Sequence, residues 1–124
     1  DKDMSKQLTA ALIAASIAEL PTGHISMPHK QLGGDINIKI HNVAEREAFE
    51  KIAFGLDSEF KDYPQRAVTF AHAVVDENGK RLFGDDQIPV ISEWPAYVTM
   101  PVFQKYNEIN GVGPDKVEAA EKNS

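Results

Sequence analysis

Three prolines, Pro89, Pro95 and Pro101, recur every six residues and limit how long any helix in that part of the chain can be. Proline has no backbone N–H and clashes with the preceding turn, so it suits the first turn of a helix and breaks or kinks a helix interior. The spacing therefore predicts short helical pieces in place of one long rod. The first runs from Asp86 to Glu93, and the next begins near Trp94.

The last of these pieces carries an apolar stripe and stops at Gly111. The residues of the stripe, spaced as on one face of a helix, are Val102, Phe103, Tyr106 and Ile109. Trp94, next to a proline, is expected to pack inside the protein. Tyr97 and Tyr106 each have an apolar ring with a polar tip, which suits the rim of an interface, so both are predicted to contact a partner.

A tight turn is predicted at Asn78-Gly79, because this pair tolerates the positive φ that such turns require. Val74 and Val75 would then pair with the segment 80–83 as a small hairpin. The segment before it, 66–73, contains both β-branched or aromatic residues and alanines. Its composition leaves strand and short helix equally open.

The N-terminal segment from Ser5 to Leu20 is rich in Leu, Ala and Ile and ends just before Pro21, so it predicts a helix. Its apolar residues cover most of the helix circumference, which requires burial on more than one side. Two interpretations remain open. The helix is either the centre of the core or a helix shared with a neighbouring subunit.

Alternating apolar residues from Ile36 to Ile40 predict a half-buried strand, with 25–28 as its partner in a hairpin. Pro28 confines that first strand to a sheet edge. Asn42 and Glu45 form a capping-box pattern that predicts a second helix from residue 43 to about residue 60. The expected fold is an α+β, helix-rich single domain with one or two small hairpins.

Residues 4–111 are predicted to form this domain, at a length that allows one hydrophobic core. Residues 1–3 precede Met4, which is interpreted as the natural start. Residues 112–124 begin with Gly and Pro and continue with charged side chains. They are predicted to be a mobile C-terminal tail.

The charge balance limits the kinds of partner. Thirteen basic and nineteen acidic side chains give a net charge of −6, and no more than two basic residues are adjacent. Nucleic acid and anionic membrane surfaces are therefore not expected partners. The chain has no cysteine, which excludes disulfides and zinc-thiolate sites and is compatible with a reducing cytoplasm.

No catalytic or metal-binding motif is found. The four histidines, His24, His29, His41 and His72, form no His-x-x-x-His pair, and the sequence lacks Gly-x-Ser-x-Gly and phosphate-binding glycine loops. We therefore expect no catalytic residue, no cofactor, no metal and no enzymatic activity. A small metal-dependent enzyme that uses His24, His29 or His41 remains the least favoured alternative.

Residues 71–111 resemble the tail assembly chaperones of long-tailed, siphovirus-type bacteriophages. The resemblance consists of an Asp-x-x-Gly-Lys-x-Leu-Phe turn at 76–83, an acidic helix start at 84–87 and a closing helix that ends in Asn-Gly. Residues 43–54 give a weaker second match. The resemblance implies a small non-enzymatic protein that self-associates and binds the tape measure protein during assembly of the tail tube.

The resemblance also names the tail tube protein as a candidate partner, and it implies a protein of the host cytoplasm that is absent from the mature virion. Self-association is assigned to the N-terminal helix and to the strand. The residues predicted to mediate it are Leu12, Ile13, Ile17, Ile36, Ile38 and Ile40. An alternative of a different class is a small cytoplasmic adaptor or regulatory protein that binds a single partner peptide.

Overall fold

The computed structural model describes residues 7–111, which form five α-helices and one three-stranded antiparallel sheet of order β1-β2-β3. This is the α+β fold that the sequence predicts. In chain order the elements are α1 (Ala10–Ile17), β1 (His24–His29), β2 (Gly34–Lys39), α2 (Val43–Phe54), α3 (Gln65–Ala73), β3 (Val74–Val75), α4 (Ile88–Ile91), which follows a 3-10 turn at Asp85–Gln87, and α5 (Ala96–Gly111).

Strands β1 and β2 form the predicted hairpin. Ile25 pairs with Ile38 and Met27 pairs with Ile36, so four apolar side chains lie on the same face of the sheet. Gly33 closes the turn with φ +74°, a left-handed conformation that glycine adopts without strain. Pro28 lies in β1, the edge strand, as expected, because proline has no N–H to donate to a neighbouring strand.

The core is centred on α3, which settles the strand or helix question at 66–73 in favour of helix. Six of its nine residues are buried, and α3 contacts α2, α4 and α5. The alanines Ala67, Ala71 and Ala73 are small enough to let the neighbouring backbones approach, while Val68 and Phe70 fill the space between them.

Helix α1 is not the centre of the core, so that interpretation of the N-terminal segment was wrong. No residue of α1 is buried. The helix is also shorter than predicted, because Thr9 caps it, with its Oγ1 accepting the N–H of Leu12 at 3.2 Å, and it ends at Ile17. Residues 5 and 6 of the predicted helix lie outside the described residues.

Helix α2 begins as predicted and ends earlier. The side chain of Asn42 accepts from the N–H of Glu45, and the carboxylate of Glu45 accepts from the N–H of Asn42, which confirms the capping box. The helix ends at Phe54 because Gly55 adopts extended backbone angles (φ −69°, ψ 140°). Phe49 and Ala53 are the residues that α2 buries.

The predicted hairpin across residues 74–83 is only partly present. The turn exists: Gly79 has φ +83°, and the carboxylate of Asp76 accepts the N–H groups of Asn78 and Lys80 at 2.8 and 2.9 Å. The return arm is reduced to a single bridge between Val75 and Arg81. The chain bends at 82–83 before the 3-10 turn begins, so the return arm extends no further. Strand β3 pairs with β2 along its other edge.

Helix α5 runs through Pro101 without interruption, so the prediction of a break there was wrong. One face of α5 buries Thr99, Val102, Tyr106 and Ile109, and α5 contacts α3 along this face. The N–H that proline lacks would have bonded to the carbonyl of Tyr97.

Ile13 and Ile38 are both predicted from the sequence to mediate self-association, but they occupy opposite environments. Replacing each of them should therefore change stability by different amounts. Ile38 is fully buried, so Ile38→Ala is expected to lower the free energy of unfolding by about 3 kcal/mol through lost burial and a residual cavity. Ile13 is exposed, so Ile13→Ala should change it by less than about 0.5 kcal/mol. Urea unfolding of both variants at low protein concentration measures this. Equal losses would contradict the exposed position of α1.

Candidate interaction site

Helix α1 carries the most extended run of exposed apolar side chains. No charged residue occurs between positions 8 and 18. The exposed apolar side chains of α1 and of the residues that flank it are Leu8 (56%), Leu12 (39%), Ile13 (44%), Ile17 (56%) and, beyond Glu19, Leu20 (53%). A contiguous apolar patch of this kind marks a contact surface more often than a solvated one.

The length of α1 leads to the same conclusion. A helix of eight residues is about 12 Å long and is marginal in water by itself, because nucleation is unfavourable and few hydrogen bonds form afterwards. Helices of this size usually depend on burial of one face, and α1 buries none of its residues. A partner that covers α1 would supply the missing stabilisation.

The second apolar surface is a groove between the hairpin, α3 and the start of α5. Its volume is about 470 Å³, and every side chain that lines it is apolar. We call it the apolar groove; its lining consists of Leu32, Ile36, Phe70, Val74, Leu82, Phe83, Trp94, Pro95 and Val98. Such a cavity falls within the size range of sites that hold ligands or partner side chains.

Three aromatic rings form one wall of the apolar groove. Phe70, Phe83 and Trp94 lie with ring centroids 5.5 to 5.6 Å apart, and Trp94 meets the other two edge to face. This geometry is favourable for aromatic pairs and rigidifies the wall. Trp94 is partly buried and packs against the core, as its sequence position suggests.

His29 fixes the rim of the apolar groove. Its ring is almost fully buried; Nδ1 accepts the N–H of Leu32 at 3.3 Å, and Nε2 lies 2.8 Å from the carbonyl of Val98. This pair of contacts requires the neutral tautomer with its proton on Nε2. His29 thereby joins the hairpin turn to α5, so that Leu32 and Val98 face the same cavity.

A polar network joins the end of β2 to α5 on another side of the domain. The hydroxyl of Tyr106 lies 2.7 Å from Nδ1 of His41, and the backbone N–H of His41 donates to Oδ1 of Asn110 at 2.7 Å. The side-chain amide of Asn110 in turn donates to the carbonyl of Lys39 at 3.1 Å. The guanidinium of Arg46 lies over the Tyr106 ring at 5.5 Å.

Burial changes the proton affinity of this network. It lowers the pKa of His41 below the usual histidine value, with Glu45 opposing the effect, and it raises the pKa of Tyr106. At neutral pH His41 is thus uncharged, and one hydrogen bond joins its Nδ1 to the hydroxyl of Tyr106. The network connects structural elements and contains no group poised as a nucleophile.

His72 lies on α3 close to an ion pair. Its Nε2 is 3.1 Å from Oδ1 of Asp85 without the alignment of a hydrogen bond, and Arg81 donates to the same oxygen at 2.7 Å. Burial and then the charge of Arg81 lower the pKa of His72, while Asp85 opposes this. Among residues 7–111, no three His, Asp or Glu side chains are grouped so that they could hold a metal ion.

The residues predicted for self-association are divided between surface and core. Leu12, Ile13 and Ile17 are exposed on α1. Ile38 is fully buried and therefore unavailable to a partner in this fold, whereas Ile40 is only partly buried against the core. Ile36 is partly buried and lines the apolar groove.

The two tyrosines predicted to contact a partner also differ. Tyr97 is 58% exposed on α5. Tyr106 is fully buried and its hydroxyl is bonded to His41, so its assignment as a partner contact was wrong. Its position in the apolar stripe of α5 favoured the core, and the polar tip that suggested an interface finds its partner inside the protein.

The apolar groove is the feature that sequence reasoning missed. Its rim residues Leu32 and Leu82, each 55% exposed, lie in a turn and in a bend. No periodic pattern marks apolar residues in such irregular segments. An available signal was Leu82-Phe83 directly after a tight turn, since turns seldom carry two large apolar residues without a surface for them to cover.

Comparison of the chain with protein-family models, curated proteins and solved structures gives no match. Among the helices of residues 7–111, none combines the length and apolar character needed to cross a membrane.

Removal of the Tyr106 hydroxyl tests the polar network. In Tyr106→Phe, Nδ1 of His41 loses its bonded partner, and the free energy of unfolding should fall by about 1 to 2 kcal/mol. Tyr97→Phe is the matched control, because Tyr97 is exposed, and it should be close to neutral. Chemical denaturation at pH 7.5 compares the two; equal effects would refute the role of the buried hydroxyl.

The histidines predict a pH dependence of stability. Because burial lowers the pKa of His41 and His72, the unfolded chain binds more protons than the folded one below about pH 6.5. Stability should be greatest at pH values well above 6.5 and should fall as the pH is lowered through 6.5. In the variant His41→Gln/His72→Gln the fall should be smaller, although the variant is less stable at pH 7.5. An unchanged slope in urea titrations would contradict the assignment.

Proposed function

We propose that the protein is a non-enzymatic tail assembly chaperone of a long-tailed bacteriophage, which self-associates and binds the tape measure protein. The observation that carries the proposal is the exposed, uncharged helix α1 on a folded acidic domain. A domain that keeps such a helix uncovered is suited to reversible binding of apolar segments. The resemblance of residues 71–111 to these chaperones supplies the biological setting.

The proposed mechanism is reversible masking of apolar surface. Several copies would coat the tape measure protein through apolar contacts until tail tube subunits displace them. The net charge of −6 would keep coated complexes from aggregating, because like charges on neighbouring domains repel. In this proposal the protein acts in the host cytoplasm and is absent from the mature virion.

Light scattering over a concentration series, with and without a fragment of a candidate tape measure protein, tests the proposal. The wild-type protein should assemble as its concentration rises and should form a complex with the fragment. Ile13→Asp/Ile17→Asp should remain folded by circular dichroism, since α1 lies outside the core, and should lose assembly.

Val90→Asp is the matched control for that variant. Val90 is an apolar residue of α4 that is 57% exposed and belongs to neither α1 nor the lining of the apolar groove, so its substitution should leave assembly unchanged. A wild-type protein that stays monomeric and does not bind the fragment would overturn the chaperone proposal.

The apolar groove favours one second candidate function, a cytoplasmic adaptor that binds a single partner peptide. A groove of about 470 Å³ lined only by apolar side chains could take the apolar face of one helix. A monomer that binds one peptide with a stoichiometry of one to one would favour this candidate over the chaperone.

A further inference from the structure

We propose that the apolar groove of one copy receives helix α1 of a second copy. The inference rests on the self-association in the proposed function and assigns the two surfaces that meet. It makes the contact heterologous, with a different surface used on each copy, in place of a pairing of α1 with α1.

The two surfaces match in charge and polarity. The segment from Leu8 to Ala18 contains no charged side chain, and neither does the lining of the apolar groove. Docking would therefore leave no unpaired charge in the interface, the main penalty for burying surface residues. The only polar side chains on this segment, Thr9 and Ser16, can satisfy themselves locally, and Thr9 already caps the helix.

Other cavities of the domain fit α1 less well. One is lined by Glu47, Glu50 and Lys51, and another contains Lys61 and Asp62. A third is lined by polar and charged groups that include Arg46 and Glu50. Placing an uncharged helix in any of these would desolvate ionised side chains without supplying a partner.

The dimensions allow one face of α1 to enter. An eight-residue helix with its side chains is about 12 Å long and 10 Å across. A cylinder of that size has roughly twice the volume of the cavity. The groove cannot enclose such a helix, but it can hold a row of side chains. Ile13 and Ile17, one turn apart, lie on the same side of α1 and form such a row.

The position of α1 in the chain separates it from the groove of its own copy. Helix α1 joins β1 at His24, which pairs with Lys39, whereas Leu32 lies in the turn at the opposite end of the hairpin. A strand of six residues separates these ends by roughly 17 Å. The linker is held there, because the N–H of Ile40 donates to the carbonyl of Gly23 at 2.8 Å.

Each copy then offers one donor surface and one acceptor surface. Such a contact closes into a pair if two copies exchange their helices, or continues from copy to copy if they do not. The number of copies therefore depends on the angle of docking, but the assignment of surfaces does not. This makes the assignment testable by complementation.

The test uses two variants, each of which removes one surface. Ile13→Gln/Ile17→Gln removes the apolar row of α1 and keeps helix propensity, since glutamine is at least as good a helix former as isoleucine. Leu82→Glu places a charge on the rim of the groove at a residue that is 55% exposed. Leu32→Glu is a second groove variant in case the first does not fold, and Val90→Glu is the control outside the groove.

Analytical ultracentrifugation should show that each variant alone associates at least tenfold more weakly than the wild type. An equimolar mixture should form a complex of one copy of each, because the first variant retains a groove and the second retains α1. Val90→Glu should behave as the wild type. If the Leu82→Glu and Leu32→Glu proteins associate as strongly as the wild type, α1 pairs elsewhere and the inference is overturned.

The same samples distinguish failure of this inference from failure of the proposed function. Wild-type assembly and binding of the tape measure fragment, combined with normal assembly of the groove variants, would reject only the docking of α1 in the groove. A wild-type protein that stays monomeric at every concentration and ignores the fragment would reject both. A mixture that shows no complex, while each variant alone is monomeric, would also overturn the inference.

Discussion

The fold depends on burial of α3 between the sheet and the helices that follow it. Fully buried Val68 and Ala71 on α3, Ile38 on β2 and Val102 on α5 belong to one hydrophobic cluster, and α3 contacts more than one helix. Burial of apolar surface provides most of the stabilisation in a domain of this size. The other elements are therefore held in place by the contacts that they make with α3. The hairpin meets it through β2 and β3, and α1 does not share in this core.

Apolar packing alone would not fix the position of α5 along the sheet. Side-chain hydrogen bonds fix it. His29 joins the hairpin turn to α5, and Asn110 joins the end of β2 to the other end of the same helix. These contacts span about 70 residues of sequence and lie at the two ends of α5. Because buried hydrogen bonds are directional, they fix the register of α5 against the sheet, and with it the shape of the apolar groove.

Local signals in the sequence predicted the elements whose structure is decided locally. The alternation at 36–40, the capping box at Asn42 and the turn at Gly79 all rest on neighbouring residues, and all are present. The errors occur where tertiary contacts decide. The composition of α1 is that of a core helix, yet α3 takes that place; Tyr106 looked like an interface residue, but His41 satisfies its hydroxyl inside. The groove combines residues from four segments, which no single stretch of sequence reveals.

Because α1 is excluded from the core, the residues that form its exposed apolar surface are different from the residues that stabilise the fold. In most small domains the same residues must serve both purposes. Substitutions in α1 can alter what the protein contacts while the free energy of unfolding, set by α3 and its neighbours, stays almost constant. Selection can therefore act on the contacting surface without a stability threshold limiting the choice of residues. A domain built on this plan can change the surface of α1 while its interior stays the same.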